Sequence, residues 1–205
     1  MSHTLSDDLP YSQASENNKV SILEVFSRHL GDKDTVLELA GGTGQHAVFF
    51  AGLFTYLTWQ ASDILSNLET LNHRITIAEL ENLPPAIALS VDDKPWRCDV
   101  FDAVFTANSL HIISAGSVEN LFSEVAKHIN PGGLLCVYGP FKYAGEFTTE
   151  SNASFDLWLK ERDPVSGVRD FEWVNSLAQS AGLTLLEDNP MPANNQMLIW
   201  QKINA

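Results

Sequence analysis

The chain has 205 residues, enough to bury one substantial core and short for two independent ones. Its 26 acidic residues against 12 basic give a formal net charge of -14, which repels phosphate backbones and anionic lipid and weighs against nucleic acid and membrane surfaces as partners. Met1 to Pro10 has neither the basic start nor the apolar run of a secretory signal, and no apolar stretch approaches the ~20 residues of a membrane span, so a cytoplasmic protein is expected.

The first apolar pattern with helical spacing is Val20, Ile22, Leu23, Val25, Phe26 and Leu30, which predicts a helix over Ser15 to Leu30 stopped by Gly31. Thr35 to Leu39 reads as a buried strand, Gly44 to Leu53 as a helix and Tyr56 to Ala61 as a second strand. A helix from Ile64 to about Leu80 follows, then strands at Ala86 to Val91 and Phe101 to Ala107. Val118, Leu121, Phe122, Val125, Ala126 and Ile129 line one face of a helix that ends at Asn130-Pro131-Gly132-Gly133. Leu134 to Tyr138 is the fifth strand, and Cys136 within it is a small core residue; neither it nor Cys98 has metal-ligand spacing. Residues 140–152 are the longest turn-rich stretch. A helix from about Asp170 to Ala181 is closed by Gly182, and the strands Leu183 to Glu187 and Gln196 to Gln201 follow with only a loop between them.

Strands alternating with helices argue for an α/β protein whose sheet is mostly parallel and covered by helices on both faces. A loop without a helix permits only antiparallel pairing of the last two strands. Seven strands ending in an antiparallel hairpin are the pattern of the Rossmann-like class I methyltransferase fold, whereas a nicotinamide-binding domain continues with another crossover helix. The expected organisation is one domain over 1–205, with an N-terminal arm and helix over about 1–31 and an insertion after the fifth strand over about 140–169.

The segment Glu38-Leu39-Ala40-Gly41-Gly42-Thr43-Gly44 delivers a hydrophobic strand into a glycine-rich turn and then a helix. Glycines let a ligand approach the main chain closely. In methyltransferases this loop cradles the methionine half of S-adenosylmethionine, with an acid such as Glu38 at the strand end. Ala40, Gly41, Gly42, Gly44 and His46 are therefore candidate cofactor contacts. Gly42-x-Gly44-x-x-Ala47 also satisfies a loose dinucleotide pattern. Asp63, about 20 residues beyond the loop, stands where a carboxylate meets ribose hydroxyls in either cofactor class, or caps the next helix. Val91 and Asp92 are candidates for the adenine side, competing with a plain acidic turn. Asn108 and His111, after the fourth strand, stand at the carboxyl edge of the sheet, where open α/β folds bind ligands. His111 is a candidate proton acceptor and equally a loop-bonding structural histidine. The Asn/Asp-Pro-Pro-Tyr/Phe tetrapeptide of amino methyltransferases is absent from the sequence.

Beyond the loop, the chain carries Tyr11-Ser12-x-Ala14, Asn17-Asn18-Lys19, Gly42-Thr43-Gly44-Gln45-His46-Ala47, Leu57-Thr58-Trp59-Gln60-x-Ser62-Asp63, Ala107-Asn108-x-x-His111-Ile112 and Tyr138-Gly139-Pro140-Phe141-Lys142. It continues with Ser151-Asn152-x-x-Phe155-Asp156, Arg162-Asp163-Pro164, Gly167-x-Arg169-Asp170 and Met191-Pro192-Ala193-Asn194-Asn195. In these the sequence resembles an uncharacterised methyltransferase-like family, a domain of unknown function that includes the methyltransferase-like protein 26 group. Glu16 and Ser90 depart from the Arg and Asp usual there. The resemblance implies a class I fold, S-adenosylmethionine as cofactor and S-adenosylhomocysteine as product, and it leaves the acceptor open. Tyr11, Asn17, Lys19, Phe141, Lys142, Asn152, Arg169 and Asn194 are expected to form an acceptor pocket and lid, against the alternative that they staple loops. His111 and Tyr138 are the candidate bases. The expected activity is methyl transfer to a small molecule; the rival readings are a non-catalytic cofactor- or partner-binding protein and, behind it, a nicotinamide-dependent oxidoreductase.

Overall fold

The computed structural model describes residues 9–203, so the part of the expected N-terminal arm before residue 9 lies outside the described residues. The described residues divide into two compact units, one up to residue 90 and one from residue 91. The seven-stranded sheet has the order β3-β2-β1-β4-β5-β10-β9, and its strands are assigned below.

In the first unit, α1 (Gln13–His29) starts at Ser12, whose hydroxyl accepts the Ser15 amide. It is followed by β1 (Thr35–Leu39), α2 (Gln45–Leu53), β2 (Thr58–Asp63), α3 (Leu68–Ala78) and β3 (Ile87–Ala88). β1 and β2 are parallel, with Thr35 opposite Thr58 and Glu38 opposite Ala61. Ile22, Val25 and Phe26 of α1 bury one helical face, and Phe26, Phe50 and Trp59 pack ring on ring at 5.0 to 6.0 Å between centroids. The second strand begins two residues later than the apolar run suggests. Leu57 is buried, but its carbonyl accepts from the Asn82 side chain, as do those of Ala51 and Phe54, and the ladder opens with the Thr58 amide on Asp34. β3 keeps only two of the six expected residues, pairing Ser62 with Ile87 and Asp63 with Ala88 where β2 itself ends.

The second unit contains β4 (Phe101–Ala107), α4 (Ala115–Val125), β5 (Ile129–Gly139), β6 (Phe141–Tyr143), β7 (Glu146–Phe147), α5 (Glu150–Arg162), β8 (Arg169–Asp170), α6 (Phe171–Ser180), β9 (Leu183–Met191) and β10 (Asn195–Lys202). β4 and β5 are parallel, and β10 runs antiparallel to both β5 and β9, which makes the C-terminal hairpin. Asn130 to Gly133 does not end α4. The helix stops at Val125, a short 3-10 turn follows, and these four residues bulge out of β5 between Ile129, opposite Phe101, and Leu134, opposite Ala103. The turn-rich stretch of residues 140–152 folds into β6, β7 and the start of α5, and β8 joins the first two in the small β7-β6-β8 sheet. Helix α5 has a capping Thr149 and Arg162 in its last turn. Its buried face is Asn152, Asp156 and Leu159, two of them polar, so no apolar periodicity announces it.

The sheet's edges are β3 at one side and β9 at the other. Along β9 the residues alternate between more and less exposed, and Glu187-Asp188-Asn189-Pro190 forms its far half. No helix among the described residues is long and apolar enough to cross a membrane.

Candidate functional site

The first unit holds the glycine loop. Ala40, Gly42 and Gly44 all have φ between 54° and 76°, the left-handed region. The loop amides are pinned from β2: Gly41 donates to the Ser62 carbonyl at 2.9 Å and Gly42 to Asp63 Oδ2 at 2.7 Å. Asp63 Oδ1 accepts from the Ile64 amide and from Asn67 Nδ2, so the predicted ribose carboxylate sits at the loop, buried, and also caps the turn into α3. A side chain at Gly44 would collide with Leu71 Cδ1 at 2.8 Å, because α3 packs directly on the loop. At Gly42 a Cβ would meet nothing closer than the Ala40 carbonyl at 3.9 Å, so this face of the main chain is open to a ligand.

Glu38 stands on β1, one residue before its end. Its side chain is buried, Oε2 accepts from Trp59 Nε1 at 2.7 Å, and its carbonyl accepts from Ser62 Oγ. Burial, helped by the nearby charge of Asp63 and opposed by the Trp59 hydrogen bond, pushes its pKa up to about 8. His46 is likewise buried, and Nε2 donates to Asn18 Oδ1 at 2.7 Å; burial holds its pKa down at about 4. Of the predicted acceptor residues on this unit, Tyr11 is 60% exposed, Asn17 is exposed and accepts from Gln13 Nε2, and Lys19 pairs with Glu16 and lies 4.8 Å from the Phe49 ring centroid.

The second unit brings His111 together with Arg169. The carbonyls of Leu110, His111, Ile112 and Ile113 are all taken up by residues 166–169: by Arg169 Nε at 3.0 Å, the Gly167 amide at 2.9 Å, Ser166 Oγ at 2.7 Å and Arg169 Nη2 respectively. The His111 ring is 5% exposed and meets Phe155 edge-on at 5.3 Å. Burial, and then the positive charge of Arg169, lowers its pKa to about 4, so the imidazole is neutral at neutral pH. Asn108, at φ 56°, donates its amide to the Tyr138 carbonyl, and Tyr138 is 3% exposed. Asn152 Nδ2 donates to Thr148 Oγ1 and to the Asn194 carbonyl, and Asn194 Nδ2 to Ser151 Oγ.

Phe141 is core at 1% exposed, and Lys142 Nζ lies over the Phe147 ring. Val91 is in a half-exposed turn, and the Asp92 carboxylate accepts from Ser117 Oγ and Asn120 Nδ2 on α4. A cavity of about 530 Å³ between α4 and α6, lined by Phe122, Leu177, Lys127 and Lys202 among others, includes none of the predicted residues. Sequence reasoning quoted Asn18, Gln45 and Asp156 within motifs without giving them a role and did not single out Arg74, though Gln45, Arg74 and Asp156 bond to loop backbone and Asn18 to His46. Helical register was the available signal for Asn18, which shares the inward face of α1 with Ile22 and Val25.

The fold recurs in solved methyltransferases. An O-methyltransferase family protein from Burkholderia thailandensis matches over 94% of this chain and 57% of its own, at 20% identity and a TM-score of 0.81. Human N-acetylserotonin methyltransferase, solved with S-adenosylmethionine, matches over 94% and 53%, at 18% identity and a TM-score of 0.78. An O-methyltransferase family 2 protein from Planctomyces limnophilus, in complex with apigenin, matches over 90% and 60%, at 15% identity and a TM-score of 0.72. The chain thus spans a little over half the length of these proteins, and at such identities the likeness is one of class I methyltransferase fold. Residues 9–202 match the family described as Protein of unknown function (DUF938), and the chain belongs to that family.

Proposed function

We propose that the chain is an S-adenosylmethionine-dependent methyltransferase acting on a small molecule. The observation that carries this reading is the glycine loop after β1, left-handed at three positions, tied through Gly42 to the Asp63 carboxylate and open above the Gly42 main chain. These residues fit an adenosyl cofactor: the loop for its methionine half, Asp63 for the ribose hydroxyls. When bound, that group supplies an electrophilic methyl on a sulfonium.

The protein's own work is then to orient an acceptor and take its proton. Toward an acceptor hydroxyl, the chain's own part would be to take up the proton that the oxygen gives up on methylation. His111 is the first candidate on position: it is unprotonated at neutral pH and held by a main chain whose carbonyls are engaged, although a pKa lowered to about 4 makes it a weak base. Tyr138 is the second candidate. The net charge of -14 favours a small molecule over a nucleic acid as acceptor.

A specific observation favours a second reading, a non-catalytic cofactor-binding protein: Asn152, Arg169 and Asn194 are engaged in loop bonding and Phe141 in the core. Calorimetric titration with S-adenosylmethionine, S-adenosylhomocysteine and NAD, on the natural chain and on Gly42→Val, tests the proposal. Valine strains the left-handed backbone and fills the open face. Micromolar binding of both adenosyl ligands, lost in the variant, is the expected result; absence of binding, or preference for NAD, overturns it. Turnover with a screened acceptor then separates the two readings.

A further inference from the structure

Arg74 and Gln45 join the segment just before α1 to the glycine loop. Arg74, on α3, donates through Nε to the Thr43 carbonyl at 2.5 Å and through Nη2 to the Pro10 carbonyl at 2.6 Å, so one guanidinium spans loop and arm. Gln45, the first residue of α2, accepts the Ser12 amide on Oε1 at 2.5 Å and donates from Nε2 to the Ser12 carbonyl at 3.3 Å, pairing its side-chain amide with a backbone unit as a neighbouring strand would. The same Nε2 reaches Glu16 at 3.4 Å, and the Thr43 hydroxyl donates to Gln45 Oε1 at 3.1 Å. Tyr11, between the two anchored residues, is left 60% exposed. The guanidinium's planar fork makes this bridge possible; a lysine has one nitrogen and cannot hold two such carbonyls in a fixed geometry.

We propose that Arg74 and Gln45 are a latch that fastens the segment Pro10 to Ser12 across the glycine loop, so that the arm must open before a bound adenosyl ligand leaves. This rests on the cofactor reading above. Arg74 is a positioning residue here: it acts on the ligand through the loop and the arm. Because the latch is closed without ligand and both entry and exit need the opened arm, its release quickens association and dissociation together and leaves affinity nearly unchanged.

Two measurements test it. Hydrogen exchange of residues 11–16 in the ligand-free protein reads the latch directly, since the Ser12 amide is one of its bonds. Stopped-flow dissociation of S-adenosylhomocysteine reads its consequence. In Arg74→Met and in Gln45→Ala, exchange over 11–16 is expected to rise and association and dissociation to quicken together, about tenfold for Arg74→Met, the loss of one hydrogen bond from a charged donor, and several-fold for the neutral bonds of Gln45→Ala. Arg74→Lys recovers only part of the effect. Unchanged exchange in both variants overturns the latch. Faster exchange with unchanged dissociation overturns its role in ligand retention. If the natural chain binds no adenosyl ligand, the cofactor reading and the retention role fall together, while the exchange data still decide whether arm and loop are fastened. The two variants alter different helices, so misfolding of one, seen by circular dichroism, leaves the other to decide.

Discussion

Arg169 Nε donates to the carbonyl of Leu110, the residue before His111, at 3.0 Å. Its Nη2 reaches the Ile113 and Val165 carbonyls as well, so one side chain fixes both ends of the turn that carries the imidazole. Arg169→Met leaves these acceptors without their donor. It is expected to lower unfolding stability by about 2–3 kcal/mol, since each unpaired buried acceptor costs roughly 1–3 kcal/mol and part of this site is open to water. Urea melts check this.

If His111 takes the acceptor's proton, His111→Ala lowers kcat by about 10²- to 10⁴-fold, the usual range for a lost general base, while Kd for S-adenosylmethionine changes little. Tyr138→Phe separates the two candidates. Turnover with a screened acceptor that survives intact in His111→Ala removes the histidine from the mechanism.

Asp63 holds the Gly42 amide and caps the turn into α3 with the same carboxylate. Asp63→Ala therefore couples two losses: adenosyl-ligand affinity falls more than about tenfold, and stability falls by roughly 1–3 kcal/mol. Titration calorimetry and thermal melts on one preparation read both. Affinity lost without any change in melting would separate the loop from the cap.

Three buried groups set opposing pH dependences. Glu38, with its pKa raised to about 8 from 4.5, contributes stability that is complete below about pH 4.5 and is lost as pH rises through 8. His46 and His111, lowered to about 4 from 6.5, contribute stability present above about pH 6.5 and lost as pH falls through 4. Two histidines outweigh one carboxyl between pH 4.5 and 6.5, and the carboxyl acts alone above that, so these groups place maximal stability near pH 6.5. Glu38→Gln keeps an acceptor for Trp59 and removes the alkaline limb. Its melting temperature is expected to match the natural chain near pH 5 and to exceed it by several degrees at pH 8.5. Parallel curves for the two proteins across that range would mean that Glu38 ionises normally.

The order of strands and helices was legible because apolar runs and their spacing follow from burial, and the C-terminal hairpin was legible from the missing crossover helix. What escaped was structure built from polar groups. In α5, Asn152 and Asp156 face inward: Asp156 Oδ1 accepts the Val168 amide at 2.8 Å and Oδ2 accepts from Lys160 at 2.6 Å. A helix bonded inward in this way has no apolar stripe to read. The same holds at the site. The glycine loop and Asp63 were visible as a pattern, but Arg74 and Gln45 act through carbonyls many residues away, and sequence spacing carries no trace of such partners. Phe141 and Asp92 show the converse, for a position within a shared motif does not reveal whether its side chain faces a ligand, the core or a neighbouring helix.

The sheet's two edges have a consequence for how the protein behaves in solution. Unpaired strand backbone is a template on which another chain's strand can grow. At one edge that template is only Ile87 and Ala88 long; at the other, Pro190 removes an amide donor and Glu187 and Asp188 place like charge along the strand. Two copies meeting at this edge would bring the Glu187 and Asp188 carboxylates together, a repulsion that opposes sheet extension there.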